Sequence, residues 1–375
     1  MRTNRRDFLR LSSAAAGYAL LAGPGKSLMA QTAAAKASNP KKILILGGTS
    51  FLGPDIVEAA IGRGHTMTLF NRGKTNPHLF PELEKLHGDR NGDLKALEGR
   101  KWDAVVDTSG YFPRIVKMSA ELLRDNAQHY IFISSISAYK DASKPNMDET
   151  APVGTLDDET VEKITGETYG PLKARCEQAA EKAFPGRCTN IRPGLIVGPG
   201  DPTDRFTYWP ARIARGGEVL APNSPDDPTQ YIDARDLGAW IVQCVEDATC
   251  GVFNAVGPKE PFTIGELLAS CKRTSKSDAT FTWVENSFLE ANQVSGWSDL
   301  PVWVPRTGDF AGFGTIDNRR AVAKGLRFRP IDETTRDTLK WFNEQPEERR
   351  AKLKAGMKAE REKEVLAAWH AHKKK

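Results

Sequence analysis

A tyrosine and a lysine four positions apart, Tyr169 and Lys173 in "ETYGPLKARCE", are the residues best suited to chemistry. On a helix this spacing places both side chains on one face. A phenol acts as a general base only when its pKa falls from about 10 toward neutrality, and a neighbouring ammonium group favours that shift. Upstream, "FISSISAY" places Ser135 at the end of a predicted strand, where its hydroxyl can hydrogen-bond the reacting oxygen. We therefore predict Tyr169, Lys173 and Ser135 as a proton-transfer group, although the spacing of the first two alone is equally typical of surface packing.

A glycine-rich turn is predicted upstream of this group, in "ILILGGTSFLGPDIVEAA", which has the order strand, turn, helix. In such a turn Gly47 permits the change of direction, Gly48 keeps bulk away from a pyrophosphate and Gly53 lets the helix approach the strand. The positive end of the helix dipole then faces the phosphates. A tight structural turn without a ligand is the alternative. The predicted cofactor contacts in the turn are Gly47, Gly48, Thr49, Ser50, Phe51, Leu52 and Gly53.

The end of the second predicted strand, "LFNRG", bears on which dinucleotide is bound. A carboxylate there accepts hydrogen bonds from the adenosine ribose and repels a 2′-phosphate. This chain has Asn71 and Arg72 instead, and a guanidinium can bind that phosphate. We therefore expect NADP, with NAD as the alternative if Arg72 is a solvated loop cation. Asp89 in "HGDR", near the adenine, and Thr108 in "WDAVVDTS" complete the predicted cofactor set.

Strand-like and helical segments alternate from "KILILGG" to "CTNIRPGLIVG". This alternation predicts βαβ units and a parallel sheet with helices on both faces. After Pro199 proline and glycine interrupt the pattern, which indicates a smaller lobe. The predicted fold class is therefore α/β, a doubly wound parallel sheet with a smaller C-terminal substrate lobe. The predicted boundaries are 38–200 for the cofactor-binding domain, 201–345 mainly for the lobe, with some strands returning to the sheet, and 346–375 for a charged C-terminal helix.

Five short pieces carry a resemblance to a known family: "GGTSFLG", "ISSISAY", "YGPLK", "IRPGLIVGPGD" and "YIDARDL". From about Lys42 to Trp341 the chain resembles the extended short-chain dehydrogenase/reductase superfamily, and within it the NAD-dependent epimerase/dehydratase family. The resemblance implies a Rossmann-like sheet, an NAD(P)-binding domain and a C-terminal substrate lobe. It also implies that Ser135, Tyr169 and Lys173 are the catalytic triad. In that triad Tyr169 moves the proton, Lys173 lowers its pKa and holds the cofactor ribose, and Ser135 orients the substrate.

Two departures from the family pattern concern the substrate. Members that act on nucleotide sugars carry an asparagine in the segment "RxxNVYGP", where this chain has Leu195 in "RPGLIVGP". They also carry an arginine just before "YIxxxDL", where this chain has Thr229 and Gln230. In the family both residues hold the nucleotide diphosphate, so the resemblance does not extend to a UDP- or GDP-sugar substrate.

The start of the chain resembles a twin-arginine (Tat) signal peptide, and residues 1–37 are predicted to be that signal and a linker. The segment has the pair Arg5-Arg6, a weakly apolar stretch over 11–23 and small residues over 30–37. Gly17 and the run 23–26 interrupt it before the roughly 20 apolar residues that a membrane anchor needs. We therefore expect export to the periplasm, with the Tat translocon as a partner and no stable membrane anchor. A disordered basic tail is the alternative.

The charge and the cysteine content of the chain argue against a nucleic acid or a metal ion as a partner. The net charge is +5 over 375 residues, and much of that excess lies at the two ends, so the body offers no electrostatic footprint for a nucleic acid. The five cysteines are widely spaced, without a CxxC or Cys/His cluster. This predicts neither a disulfide framework nor a metal site, and it suits a protein that folds in a reducing compartment before export. A homodimer is left open.

Export bears on the reaction, because an exported cofactor cannot exchange with the cytoplasmic pool. A simple dehydrogenase would stop after one turnover, whereas a reaction that removes and returns a hydride in one cycle would not. We therefore expect an NAD(P)-dependent epimerase or dehydratase that acts on a small-molecule substrate, a sugar or a polyol-like compound. The alternatives are a reductase or dehydrogenase of a small carbonyl compound and a catalytically silent NADP-binding regulatory protein.

Aromatic and basic residues cluster in "RFTYWPARIARGG", at the start of the predicted lobe. The rings of Phe206, Tyr208 and Trp209 are predicted to stack on a sugar face, with burial in the core of the lobe as the alternative. Arg205 and Arg212 are either surface charges or contacts for an anionic substrate.

Overall fold

A computed structural model describes residues 36–374. The predicted signal segment lies outside them, except for its last two positions, Lys36 and Ala37. The strands described, in chain order, are β1 (Lys42–Leu46), β2 (Thr66–Asn71), β3 (Glu84–His87), β4 (Trp102–Asp107), β5 (Ala127–Ile133), β6 (Cys188–Pro193), β7 (Ile196–Val197), β8 (Glu218–Pro222), β9 (Ile232–Asp233), β10 (Gly251–Ala255) and β11 (Thr280–Val284). The helices described are α1 (Leu52–Arg63), α2 (Pro113–Leu123), α3 (Tyr169–Ala183), α4 (Tyr208–Ala214), α5 (Ala234–Glu246), α6 (Ile264–Ser275), α7 (Asn286–Ala291), α8 (Arg319–Ala323), α9 (Ile331–Asn343), α10 (Glu347–Arg350) and α11 (Ala359–Lys373).

Seven parallel strands form the central sheet, in the order β10-β6-β5-β4-β1-β2-β3. The order reverses at β1, so the chain winds outward in both directions from it, and the carboxyl ends of β1 and β4 lie side by side at the switch point. The predicted α/β fold with a doubly wound, Rossmann-like parallel sheet is confirmed. Strand β10 comes from the second half of the chain and returns to the edge of this sheet.

Alternate residues of the strands face opposite sides of the sheet, and both sides are covered by helices. In β1, Ile43 and Ile45 belong to the buried cluster that includes residues of α1 and α5. Leu44 and Leu46 belong to a second cluster, with residues of α2 and α3. Burial of each such aliphatic side chain contributes about 1.5–3 kcal/mol, which explains why the run "ILIL" forms a central strand.

The C-terminal lobe has its own buried cluster, which includes side chains of α4, α6 and α11 and of the parallel pair β8–β11. Phe206, Tyr208 and Trp209 lie inside it, with 0%, 1% and 0% of their surfaces exposed. The indole nitrogen of Trp209 donates a hydrogen bond to the carbonyl oxygen of Pro301 at 2.6 Å. The structure therefore corrects the prediction that these rings stack on a substrate: they are the core of the lobe and present no face to a ligand.

The C-terminal segment differs from the single charged surface helix predicted for 346–375. Two helices, α10 and α11, are separated by non-helical residues 351–358. Trp369 on α11 is buried in the lobe cluster. Glu362 on α11 forms a buried ion pair with Arg212 on α4, at 2.6 Å between Oε2 and Nε. The segment is thus built into the lobe, and Arg212 is occupied by Glu362 rather than available to a substrate.

Neither a membrane-crossing helix nor a metal-binding cluster is found in the described part of the chain. Among residues 36–374, every helix is too short or too polar to span a bilayer. Within the same residues, no three His, Cys, Asp or Glu side chains are grouped as metal ligands. All five cysteines, which lie in this range, are free thiols, and Cys250 alone among them is exposed.

The turn between β1 and α1 depends on a close backbone contact at Gly53. A Cβ atom on Gly53 would lie 2.6 Å from the carbonyl carbon of Gly48 and 2.7 Å from its Cα. Real Cβ atoms do not approach backbone atoms this closely, so any other residue at position 53 must push the helix away from the strand.

We expect Gly53→Ala to lower the free energy of unfolding by about 1–3 kcal/mol, because the added methyl group overpacks a rigid contact. Gly62→Ala is the matched control. It lies on the same helix, a Cβ there meets nothing within 4 Å, and alanine is the better helix former. Chemical denaturation of the two variants measures the difference. Equal stability of both would contradict the packing constraint.

Candidate active site

The carboxyl edge of the sheet at β1 carries the predicted glycine-rich turn. Gly47 has φ 117° and Gly48 has φ 93°, values that side chains other than hydrogen rarely permit. Helix α1 begins directly after the turn and spans 12 residues, so its first backbone N–H groups and the positive end of its dipole lie at this edge. The turn therefore has the shape and polarity of a phosphate-binding loop.

Two asparagine side chains hold the turn in place. Asn71 Nδ2 donates to the carbonyl oxygen of Gly47 at 3.1 Å, and its Oδ1 accepts from the Gly73 amide at 2.8 Å. Asn76 Nδ2 donates to the carbonyl oxygen of Thr49 at 2.9 Å. Sequence reasoning predicted Asn71 as a cofactor ligand and missed Asn76, which had no motif to mark it. Both amides fix the backbone of the turn.

The other predicted cofactor residues lie around the same edge. Thr108 Oγ1 donates to the carbonyl oxygen of Leu46 at 2.9 Å, which joins the ends of β4 and β1. Arg72 is exposed and makes no ion pair with any residue of 36–374. Asp89 is exposed, and its Oδ1 accepts from the Asn91 amide at 2.9 Å. Contacts of these three residues with a dinucleotide stay predictions.

A buried charged network supports the end of β4. Arg90 forms two hydrogen bonds of 2.6 Å with the carboxylate of Asp107, and Tyr130 donates to the same carboxylate at 2.8 Å. Asp107 Oδ1 also accepts from the Ser109 amide at 3.1 Å, which shapes the turn that leads to Gly110. Sequence reasoning missed this network, although the Arg90 charge beside a predicted strand end was a visible signal.

Lys173 lies at the centre of the site, on the second turn of α3. Its ammonium group donates hydrogen bonds to the carbonyl oxygens of Gly110 at 2.8 Å and of Ile133 at 2.7 Å. Gly110 lies in the turn after β4, and Ile133 is the last residue of the neighbouring strand β5. The same group lies 4.3 Å from the ring centre of Phe132. Burial lowers the pKa of Lys173 to about 8, since the charged form has lost its water.

Tyr169 is the first residue of α3 and precedes Lys173 by one turn. Ser135 follows β5 and accepts a hydrogen bond from the Ser137 amide at 3.1 Å. Burial raises the pKa of Tyr169 well above its usual value, and Tyr111 adds to this, while a hydrogen bond with Ser135 and the charge of Arg205 oppose it. The structure thus brings Ser135, Tyr169 and Lys173 to one edge of the sheet.

A cation that sequence reasoning did not connect with Tyr169 also acts on it. Arg205 lowers the pKa of Tyr169, against a larger rise caused by burial. Lys173, whose ammonium group is bound to the carbonyl oxygens of Gly110 and Ile133, was predicted to lower the same pKa, and that effect stays a prediction.

The residues present fit a dinucleotide cofactor. A Cβ atom on Gly48 would meet the side chain of Ile45 at 2.9 Å, and one on Gly53 would meet Gly48 itself, so the turn stays bare of side chains where a pyrophosphate would approach α1. The turn would hold the phosphates of the dinucleotide, and the contact of Lys173 with the cofactor ribose stays a prediction. The predicted contacts of Gly47 through Gly53 are compatible with this geometry.

Comparison with known proteins gives the family and the fold. Residues 43–255, more than half of the chain, match the model of the NAD dependent epimerase/dehydratase family. The chloroplast stem-loop binding protein of 41 kDa b of Arabidopsis thaliana is 28% identical over 261 residues, 63% of this chain and 64% of that protein, so the match spans a little under two thirds of the relative.

Solved structures show the same fold. The Bordetella bronchiseptica enzyme WbmH in complex with NAD+ superposes with a TM-score of 0.57 at 16% identity, covering 81% of this chain and 99% of that one. Human epimerase family protein SDR39U1 (isoform 2) with NADPH has a TM-score of 0.55 at 19% identity, covering 80% of this chain and 99% of that one. These likenesses show the fold, and the match to the family model shows that the chain belongs to the NAD-dependent epimerase/dehydratase family.

Proposed function

We propose that this protein is an exported, NADP-dependent epimerase or dehydratase that acts on a sugar or polyol-like substrate and returns the hydride within each cycle. The observation that carries the proposal is the convergence of Ser135, Tyr169 and Lys173 at the carboxyl edge of the sheet, beside the glycine-rich turn.

Residues of the chain itself accept and return the proton of the substrate hydroxyl. A bound nicotinamide supplies the chemistry of accepting a hydride from the substrate carbon and returning it. Tyr169 takes the proton from the substrate hydroxyl as the carbonyl forms and gives it back when the hydroxyl is restored, so atoms and charge balance over the cycle. Ser135 holds the reacting oxygen. Lys173 fixes the first turn of α3 against the strand ends and so positions Tyr169.

The lobe favours a substrate without a nucleotide. The position of the family's diphosphate-binding arginine is taken by Gln230, whose amide exchanges two hydrogen bonds of 2.8 Å with the backbone of Ile316. Thr229 beside it donates to the carbonyl oxygen of Val302 at 2.6 Å. Leu195, at the place of the family's asparagine, is buried. These side chains hold the lobe together, and none of them offers a cation or an amide to a diphosphate.

A nucleic-acid substrate is not proposed, although one relative is named for binding a stem-loop. Acidic and basic residues are balanced through the body of the chain, and the excess of positive charge lies mainly in its first residues and its last. A phosphate backbone needs a basic face that such a body does not provide.

Export and redox neutrality are proposed together. The pair Arg5-Arg6 and the weakly apolar stretch after it support a Tat signal. Five free thiols, four of them buried, are compatible with folding in a reducing compartment before export. A protein that leaves the cytoplasm folded can carry its cofactor with it, and a cycle that regenerates that cofactor needs no outside supply.

We expect the wild-type protein to turn over many times on a panel of sugars, sugar acids and polyols without added cofactor. Substrate deuterated at the reacting carbon should retain its label in the product, as measured by mass spectrometry. Tyr169→Phe should lower kcat by about 10²–10⁴-fold with little change in KM, since it removes the proton carrier and keeps the ring.

Tyr208→Phe, a change in the core of the lobe, is the control for loss of a tyrosine hydroxyl away from the site. Dependence on a continuous supply of cofactor would replace the redox-neutral proposal with the simple dehydrogenase. Tightly bound cofactor without turnover on the whole panel would support the silent regulatory protein. Unchanged kcat in Tyr169→Phe would overturn the catalytic assignment.

We expect Arg72→Ala to weaken NADPH binding by about 1.5–3 kcal/mol and to leave NADH binding nearly unchanged, because only the former loses a charge-assisted contact with the 2′-phosphate. Lys74→Ala removes a neighbouring exposed cation and is the matched control. Fluorescence titration with both cofactors measures the two affinities. An equal loss for NADPH and NADH would exclude Arg72 as a phosphate ligand.

We expect Arg5→Lys combined with Arg6→Lys to keep the folded protein, with its cofactor, in the cytoplasm of a bacterial host. Arg2→Lys combined with Arg10→Lys alters the same segment outside the pair and should leave export intact. Cell fractionation and immunoblotting measure both. Arrival of the Arg5/Arg6 variant in the periplasm at the wild-type level would contradict the Tat assignment.

A further inference from the structure

The loop that leads from β7 into α4 carries one arginine, Arg205, that interacts electrostatically with Tyr169 of the candidate active site. This loop, residues 198–207, follows β7, a short strand that pairs with β9 and comes two residues after the carboxyl end of β6. Its Gly200 lies against the glycine-rich turn, since a Cβ there would be 3.9 Å from the ring of Phe51. Arg205 follows five residues later, half-buried.

Arg205 is oriented by a chain of hydrogen bonds and an aromatic ring. Thr203 Oγ1 donates to Asp201 Oδ1 at 2.7 Å and accepts from Arg205 Nε at 3.1 Å. The guanidinium carbon lies 5.0 Å from the ring centre of Trp297, a distance at which a cation is stabilised by the ring face. These contacts use the Nε edge and one face of the guanidinium.

The remaining donors of Arg205 have no partner within residues 36–374. The terminal nitrogens make no hydrogen bond there, and no carboxylate of those residues lies within ion-pair distance. Arg212, in the same stretch of sequence, is by contrast fully engaged by Glu362 and by the carbonyl oxygens of Gly216 and Glu218. Of these two arginines, Arg205 is therefore the one whose terminal nitrogens have N–H groups available to bind a ligand.

The charges around Arg205 leave it only partly compensated. Asp201 acts on the guanidinium electrostatically without forming an ion pair with it, and its Oδ1 is bound by Thr203. Burial lowers the pKa of Arg205 itself, so the charge is held at a cost that a bound anion would offset. Arg205 also acts on Tyr169 electrostatically, so an anion bound to it lies close to the reacting group.

The loop is clamped from the outside by the C-terminal segment. Arg349 on α10 forms hydrogen bonds of 2.9 and 2.6 Å with the buried carboxylate of Asp204, next to Arg205 in sequence. Lys354 adds its amide to the same carboxylate and its ammonium group to the carbonyl oxygen of Pro202, both at 2.9 Å. The guanidinium is thus carried on a fixed support, as a specificity residue requires.

We propose that Arg205 binds a carboxylate of the substrate, so that the compound processed at Tyr169 is a sugar acid or a related hydroxy acid. The proposal rests on the proposed function for the identity of the reacting group and deepens it by naming the substrate class. One planar guanidinium with two free N–H donors matches a carboxylate in the bidentate manner. A phosphate ester carries more charge and more acceptors than this single cation satisfies.

Calorimetry on the full chain with its cofactor tests the proposal. The probes are D-glucuronate and D-gluconate, each paired with its neutral counterpart, D-glucose and sorbitol, together with inorganic phosphate. We expect the carboxylates to bind more tightly than their counterparts, and Arg205→Met to weaken them by about 10-fold or more while leaving neutral compounds unchanged. Arg205→Lys keeps the charge and should retain part of the binding. Arg215→Met, an exposed arginine at the end of α4, is the matched control and should change nothing.

Each result of these titrations either supports or overturns the binding of a carboxylate by Arg205. Carboxylates that bind no better than their neutral counterparts, or that bind equally well to folded Arg205→Met, overturn the proposal, and so does tighter binding of phosphate. Melting temperatures of the variants separate loss of fold from loss of charge. If carboxylates bind through Arg205 while no substrate turns over, the proposed function fails and this inference stands. If neutral polyols turn over with dependence on Tyr169 but not on Arg205, the inference fails and the proposed function stands.

Discussion

The ammonium group of Lys173, buried between the carbonyl oxygens of Gly110 and Ile133, is the interaction on which the geometry of the site depends. An ammonium group taken out of water loses several kcal/mol unless acceptors replace the water. Helix α3 must therefore lie where Lys173 reaches the ends of β4 and β5 together. Tyr169, one turn earlier on the same helix, is placed by that constraint, and so is its distance from Ser135 at the end of β5. The hydrogen bonds of Asp107 also help to position Lys173, because they hold the turn that presents the carbonyl group of Gly110.

Much of this arrangement could be predicted from local sequence. The run "ILIL" before two glycines specifies a buried strand and a turn that only small residues allow, and the later strands repeat the pattern. These inferences succeed because they rest on periodicity and on backbone conformation, both of which short stretches of chain determine. The grouping of Ser135, Tyr169 and Lys173 came instead from their motifs and from the family resemblance, and the structure brings the three residues to one edge of the sheet.

The remainder depends on contacts between distant residues. Arg205 and Arg212 look alike in sequence, and only the pairing of Arg212 with Glu362, 150 residues away, separates them. The rings in the same stretch are equally ambiguous, because a tryptophan on a short helix serves a core or a ligand equally well until the packing of α6 and α11 over it is known. Asn76 likewise becomes informative only when its amide is seen to reach Thr49.

The two cations of the site act on the proton in different ways. The ammonium group of Lys173 donates hydrogen bonds to the backbone carbonyl oxygens of Gly110 and Ile133, and these bonds hold α3 against the sheet. Arg205 is held through its Nε by Thr203, and its charge works against the effect of burial on the pKa of Tyr169. A carboxylate bound to Arg205 would offset that charge and move the Tyr169 pKa further upward, because the phenolate would then face an ion pair instead of a free cation. Binding of an acid at Arg205 and the protonation of Tyr169 would therefore be coupled through one guanidinium: the bound acid favours the phenol, which returns the proton to a carbonyl oxygen, and opposes the phenolate, which takes the proton from the substrate hydroxyl.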